Sequence, residues 1–277
     1  MIALIALLIA SVVPASLVAQ GSGGVVRSAA TARGNPVRGL ALLEHFGDSL
    51  PANRGNGLRC VSCHLDNGTR PTAMPWLASA SRYPRYRARP GRDESLAERV
   101  NECIARSLAG RMLPQAGRDM RDMLAYLETL RDRPRPPGVD TVRALGQPVA
   151  GRAVYARSCA RCHGAAGEGL AVGPALWGRA SFSIGAGMAR QFTLATFVRH
   201  NMPFDGVGLL TDQEAADVAA YILRQPRQDH PGKERDWPKG DAPPDVAYAT
   251  LGAKKSGKAL PPSRPLLPRR VSPDSLR

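Results

Sequence analysis

Two stretches of the chain carry apolar residues at alternating three- and four-residue spacing: Met120, Met123, Leu124 and Leu127 in one, Ala215, Val218 and Ile222 in the other. That period lays one apolar stripe along a helix. Both are read as closing helices whose stripes, with Tyr126 and Tyr221 beside them, are core and carry no chemistry. A helical entry over 37–46 has its counterpart at 151–158, and further helices are predicted over 94–108 and 191–199. Thr211, followed three residues later by Glu214, makes a capping box for a helix over 211–224. The run Arg131-Asp-Arg-Pro-Arg-Pro-Pro-Gly138 reads as a stiff linker that stops the first closing helix. Between them, 69–92 reads as an irregular Pro/Arg-rich loop.

These elements describe a mainly α chain with one plan used twice. A first domain covers 37–132, a linker 133–147 and a second domain 148–226. A Pro-, Lys- and Gly-rich C-terminal strap and tail, 227–277, would cross the surface as far as Tyr248 and then fray. At the start, the apolar run Ile2–Ala10 and the small residues before Gln20 read as a secretory signal over 1–20, with a retained anchor as the alternative. A Gly/Ser-rich spacer, 21–36, follows. No other segment is apolar enough to span a bilayer, so the mature chain is expected to lack a transmembrane segment.

Five cysteines supply the chemistry. Four lie in two Cys-x-x-Cys-His motifs, Cys60/Cys63/His64 and Cys159/Cys162/His163. This pattern attaches a c-type haem through two thioethers and gives the iron its first axial ligand, the histidine. A zinc site would need a partner pair for each motif and leaves the adjacent histidines unexplained. Two covalently bound c-type haems are therefore expected, one in each of two tandem class I-like cytochrome c domains. Their attachment implies a compartment outside the cytoplasm, the periplasm.

The motifs share a register. From His64, 39 residues lead to Cys103; from His163, 39 lead to Met202. Met202, in Asn-Met-Pro-Phe, is the expected distal ligand of the second iron, and methionine ligation raises the potential. Cys103 takes the equivalent place in the first domain. The alternatives are an inert buried thiol with Met112 or Met74 on the iron. Against them, Met112 comes nine residues too late, and Arg99, Cys103 and Ser107 fall at four-residue spacing on one helix face. An arginine one turn away supplies the positive charge that suits a sulfur acting as iron ligand or nucleophile.

Charge narrows the partners. The chain has 38 Lys and Arg against 23 Asp and Glu. An exported haem protein rarely meets nucleic acid, so that partner is excluded. A small anionic substrate or an acidic patch on a redox protein remains. A solvated arginine-rich surface accounts for part of the excess, but not for Thr69–Arg92. That stretch holds Arg70, Arg82, Arg85, Arg87, Arg89 and Arg92 without one acid.

Several stretches resemble the dihaem thiosulfate dehydrogenase (TsdA) family, and more distantly the SoxA subunit of the sulfur-oxidising system. They are Gly55–His64, Tyr83-Pro-Arg-Tyr86, Arg99–Ser107, Gly110-Arg-Met-Leu-Pro114, Arg199-His-Asn-Met-Pro203 and Trp237–Tyr248. The resemblance implies a thiosulfate site at the first haem formed by Arg89, Arg99, Cys103 and Ser107, and a reaction joining two thiosulfates to tetrathionate. It also implies an external electron acceptor such as a small cytochrome c or a high-potential iron-sulfur protein. Some relatives carry lysine before the methionine, where this chain has Asn201. A dihaem electron-transfer subunit of another complex, or a SoxA-like protein, is the competing reading.

Overall fold

Two helix pairs organise the chain in a computed structural model that describes residues 33–257 and 264–268. Helices of five residues or more are numbered. In the first pair, α1 (Pro36–Glu44) packs on α3 (Arg118–Thr129), with α2 (Leu96–Arg106) between them in sequence. In the second, α4 (Pro148–Ser158) packs on α6 (Asp212–Arg224), and α5 (Gln191–Asn201) lies against α6. The predicted signal and spacer fall outside the described residues up to position 32.

Both pairs are locked in the same way. Gly39 in α1 lies against the Asp122 carbonyl of α3, so a Cβ there would stand 1.9 Å from that oxygen. Gly151 in α4 lies 2.0 Å by the same measure from the Asp217 carbonyl of α6. The aspartate side chains match too: Asp122 accepts from the Asn35 N–H at 2.7 Å and Asp217 from the Gln147 N–H at 2.7 Å, each capping the entry of the shorter helix. Glycine is needed because the backbones touch, and the carboxylates occupy helix N-termini, where negative charge is favoured. Gly151→Ala is expected to cost about 1–3 kcal/mol through overpacking against a carbonyl that has nowhere to move. A urea midpoint that falls at constant m-value would show it.

The apolar stripes behave as the spacing predicts. Met120, Met123 and Leu127 are buried, as are Ala215, Val218 and Ile222. The capping box at Thr211 and Glu214 forms, and Ser95 with Glu98 makes a second one that starts α2. Elsewhere the structure departs from the expectation. Segment 69–92 is not wholly irregular: β1 (Arg85–Arg87) pairs antiparallel with β2 (Arg92–Glu94) across a turn that ends at Gly91, φ +70°. The chain beyond Tyr248 does not fray at once. Thr250 caps α7 (Leu251–Lys255) by accepting from the Ala253 N–H, and the Leu267 N–H donates to the Arg227 carbonyl at 2.9 Å.

The halves interlock, and the described residues belong to one compact unit. Buried Asn56 donates to the carbonyls of Ser107 and Ser181, both at 2.9 Å. Ser183 donates through its hydroxyl to the Arg106 carbonyl at 2.8 Å. Asn201, fully buried at the end of α5, donates to the Thr72 carbonyl at 3.0 Å and accepts from the Thr72 hydroxyl at 2.7 Å. Asn201→Ala is expected to lose about 1–3 kcal/mol, because it strands the half-buried hydroxyl and carbonyl of Thr72. A double-mutant cycle with Thr72→Val should return a non-additive term of at least about 0.5 kcal/mol.

Candidate active site

Cys60 opens a tight turn, Cys60–Ser62, and Cys63 caps its end and leads into His64. The His64 ring is set by its neighbours: Nδ1 sits 2.6 Å from the Met74 carbonyl, and Trp76 packs with its centroid 4.9 Å away. A carbonyl partner makes Nδ1 the protonated nitrogen and leaves Nε2 free to bind iron. Burial, with Arg99 adding to it, pulls the imidazole down to about 4 and keeps it neutral. The second motif sets its histidine in the same way. His163 Nδ1 sits 2.7 Å from the Pro174 carbonyl, and burial lowers its pKa as well.

The cysteines of the second motif are not equivalent to those of the first, as a plain repeat of the plan would have made them. Cys60 and Cys63 both pack against the core and both line the cavity described below. Cys159 packs against the core, but Cys162 does not, and neither borders that cavity. The local backbone gives the reason. The second motif is a helical turn, Ala160–His163, entered from Cys159, and Cys162 stands on it half-buried beside exposed Arg161. Its N–H donates to the Cys159 carbonyl at 3.1 Å, and its own carbonyl lies against the backbone of Gly173. Cys162, half-buried like the other four cysteines, keeps its place in the Cys-x-x-Cys-His motif beside His163.

A cavity of about 410 Å³ opens beside the first motif. Cys60, Cys63 and His64 line it, and so do Arg99, Cys103 and Ser107 from α2 and its C-cap. The helix is aimed by Asn101, which is buried and exchanges two 2.8 Å hydrogen bonds with Leu113. That contact explains why the Arg99–Ser107 run and the Gly110–Pro114 run occur together. Cys103 is half-buried, and Arg99 is held above its usual range, first by the Cys103 sulfur and then by Glu102. Met74 also lines the cavity, whereas Met112 is 62 % exposed and absent from its wall.

The arginines expected in the loop separate into groups. Arg82, Arg85 and Arg87 line the cavity, together with Arg59, Arg99 and Arg135; no acidic residue does. Arg70 pairs with Asp66 and Arg92 with Glu98, away from it. Arg89, expected beside Cys103, is also turned away. Its guanidinium donates to the Gly185 carbonyl at 2.5 Å, lies 3.7 Å from Asp236, and stacks 4.5 Å over Trp237. A buried carbonyl, a carboxylate and an aromatic face together outcompete the cavity for this cation. Asp236 also takes a bidentate pair of 2.8 Å bonds from Arg106 and a 2.5 Å bond from the Tyr248 hydroxyl. The strap thereby fastens to α2 three residues beyond Cys103. Neither Arg135 nor Asp236 was singled out in the sequence, since their partners are distant in the chain.

Around the second motif, Tyr155, Trp177 and Tyr221 form an aromatic cluster, and the Tyr155 hydroxyl donates to the Gly164 carbonyl at 2.6 Å. Met202 follows directly on α5 and packs partly buried against the core. Arg227 is fully buried, donates to the carbonyls of Phe182, Leu176 and Ile222, and has an unpaired Nε.

These residues fit a covalently bound c-type haem. The cysteines are free, each motif histidine presents Nε2, and at the first motif a largely apolar cavity separates the histidine-bearing turn from the thiol-bearing helix. Among the described residues, no helix is long and apolar enough to cross a membrane.

Comparison with known proteins agrees. Residues 146–222 match the family described as cytochrome c oxidase, cbb3-type, subunit III. The thiosulfate dehydrogenase of Psychrobacter arcticus is 42 % identical over 223 residues, covering 76 % of this chain and 68 % of that one. The thiosulfate dehydrogenase of Allochromatium vinosum is 39 % identical over 209 residues, covering 69 % and 77 %. Among solved structures, the thiosulfate dehydrogenase TsdBA of Marichromatium purpuratum, as isolated, superposes with a TM-score of 0.68 at 33 % identity. It covers 76 % of this chain, which spans half of that longer one. With its haem-attachment motifs, helical fold and relatives of this identity and coverage, the chain belongs to the thiosulfate dehydrogenase family of c-type cytochromes.

Proposed function

We propose that the chain is a periplasmic dihaem enzyme that joins two thiosulfates into tetrathionate and passes two electrons to an external acceptor. A small cytochrome c or a high-potential iron-sulfur protein suits that last role. The observation that carries the reading is one cavity bordered by the His64 motif, by Arg99, Cys103 and Ser107, and by further arginines without an acid. Plain electron carriers have no use for a thiol in that position.

Cys60 and Cys63 would attach the first haem, Cys159 and Cys162 the second. His64 and Cys103 would hold the first iron, His163 and Met202 the second. When bound, c-type haem supplies one-electron acceptance and relay, and a thiolate-ligated site feeding a methionine-ligated one makes that relay downhill. The chain's own groups do the rest. Arg99 holds a dianionic thiosulfate by charge-assisted hydrogen bonds, and the Ser107 hydroxyl adds another. Arg89, committed to Gly185 and Asp236, serves from behind by fixing the strap against the turn between β1 and β2. The Cys103 thiolate forms a bond to the sulfane sulfur of the first thiosulfate, and two electrons leave towards the acceptor. A second thiosulfate then attacks that sulfane sulfur, tetrathionate departs, and Cys103 recovers its thiolate. Covalent capture removes the need to bring two free dianions together. Their repulsion at about 6 Å and an effective dielectric of about 20 is roughly 10 kcal/mol.

Incubating the purified, haem-loaded protein with thiosulfate and ferricyanide, and quantifying tetrathionate, tests this. One tetrathionate per two ferricyanide reduced is expected. No product from a fully loaded, folded sample would overturn the enzymatic reading in favour of an electron-transfer subunit.

A further inference from the structure

Four of the cavity's six arginines make no ion pair among the described residues. Arg87 lies 3.5 Å from buried Glu94, and Arg99 3.6 Å from Glu102. Arg59, directly before the first motif, makes no ion pair among the described residues, and neither do Arg82, Arg85 and Arg135. The last three arrive from three separate elements: the turn Ala80–Arg82, strand β1, and the linker after α3. Arg85 Nε is buried without a hydrogen-bond partner. A buried N–H left unpaired is costly, and so is a cluster of like charges, unless an anion completes it.

We propose that Arg82, Arg85 and Arg135 form a second oxyanion subsite at the solvent end of the cavity, which holds the attacking thiosulfate while the first is bonded to Cys103. The assignment rests on the function proposed above and adds where the second dianion binds. Position supports it. Arg135 is exposed and marks the entrance, while Arg82 and Arg85 are half-buried behind it. The Arg85 guanidinium lies 5.5 Å over the Tyr83 ring, and Tyr83 also lines the cavity. Arg82 is held below its ordinary range, first by burial and then by repulsion from Arg135 and Arg85, which is the signature of cations gathered without their anion.

The subsite serves a step without net redox change. The terminal sulfur of the held thiosulfate forms a bond to the sulfane sulfur on Cys103, the bond from Cys103 to that sulfur breaks, and the electron pair stays on Cys103. Charge is conserved, because the adduct plus one dianion becomes a dianionic tetrathionate plus a thiolate. No proton is needed. What is needed is positive charge where the incoming dianion waits, and Arg99 alone faces the first one.

Haem propionates are the other source of oxyanions in such a cavity, and the experiment separates the two. Haem-loaded wild type, Arg135→Gln, Arg82→Gln and Arg135→Lys are compared for the thiosulfate KM in tetrathionate formation and for inhibition by sulfate. Labelling of Cys103 by limiting thiosulfate and the haem reduction potentials are measured on the same samples. Loss of a charged hydrogen-bond donor is expected to raise KM about tenfold and to weaken sulfate inhibition in parallel. Labelling and potentials should stay at wild-type values, and Arg135→Lys should recover part of the loss. Wild-type KM in both glutamine variants would overturn the subsite. So would shifted potentials at unchanged KM, which would assign these arginines to the haem carboxylates. A wild type that forms no tetrathionate would instead sink the proposed function itself.

Discussion

Cys103→Ala is expected to abolish thiosulfate turnover, by at least about 10³-fold, while leaving haem attachment intact. The two outcomes separate because they depend on different elements. Attachment draws on Cys60, Cys63 and His64 in the turn before Leu65. Cys103 belongs to α2, whose position is set by other groups: buried Ile104, the Asn101–Leu113 pair, and the Arg106–Asp236 fork. The thiol is only half-buried, and alanine is the best helix former, so the helix keeps its place. Haem content from the pyridine haemochrome spectrum and tetrathionate yield, measured on the same sample, read both effects. Substantial activity remaining in a haem-loaded Cys103→Ala protein would contradict covalent capture.

The second large effect concerns the strap. Asp236→Ala is expected to destabilise the fold by about 3–5 kcal/mol, since it leaves buried cations without their carboxylate. The Arg106 and Arg89 side chains are each 13 % exposed and Asp236 is 5 % exposed, so water replaces little of the lost contact. The Tyr248 hydroxyl loses its acceptor at the same time. Asp236→Asn should cost less, as it keeps one acceptor for the Arg106 fork. Urea unfolding gives the size of the loss. Hydrogen exchange gives its location, which should be the last turn of α2 and residues 236–248. A stability change under about 0.5 kcal/mol, the range of ordinary surface substitutions, would mean that the strap does not fasten to α2 in solution.

How much of this could be read from the sequence depended on how local the determining contacts are. The haem motifs are legible because covalent attachment fixes three residues within five consecutive positions, and the 39-residue register needs only counting. What the repeat did not reveal is that Cys63 and Cys162 sit differently, since identical motifs fold here as a tight turn in one half and a helical turn in the other. The closing helices were legible from Met120, Met123 and Leu127, and from Ala215, Val218 and Ile222, because burial on one face imposes the period. The same pairs of helices also carry the Gly39–Asp122 and Gly151–Asp217 contacts. Those were visible as a repeat but passed unnoticed, since a glycine inside a helix reads first as a weakness. The hairpin at Arg85–Glu94 was hidden because its strands are almost entirely charged and alternate no apolar face. The placement of Arg89 was out of reach for a different reason: Gly185, Asp236 and Trp237 are brought to it by the fold from far along the chain. Arg135 looked like linker composition, and only the folded chain brings it to the wall of the cavity that Cys103 also lines.

The central claim is that Cys103 carries the sulfane sulfur between two thiosulfates. Peptide mass spectrometry of the oxidised, haem-loaded protein after mixing with limiting thiosulfate tests it most directly. The account predicts one thiosulfate unit added to the peptide that bears Cys103. It further predicts loss of that unit, with release of tetrathionate, when more thiosulfate is supplied. Tetrathionate formed while Cys103 stays unmodified at every time point would contradict it.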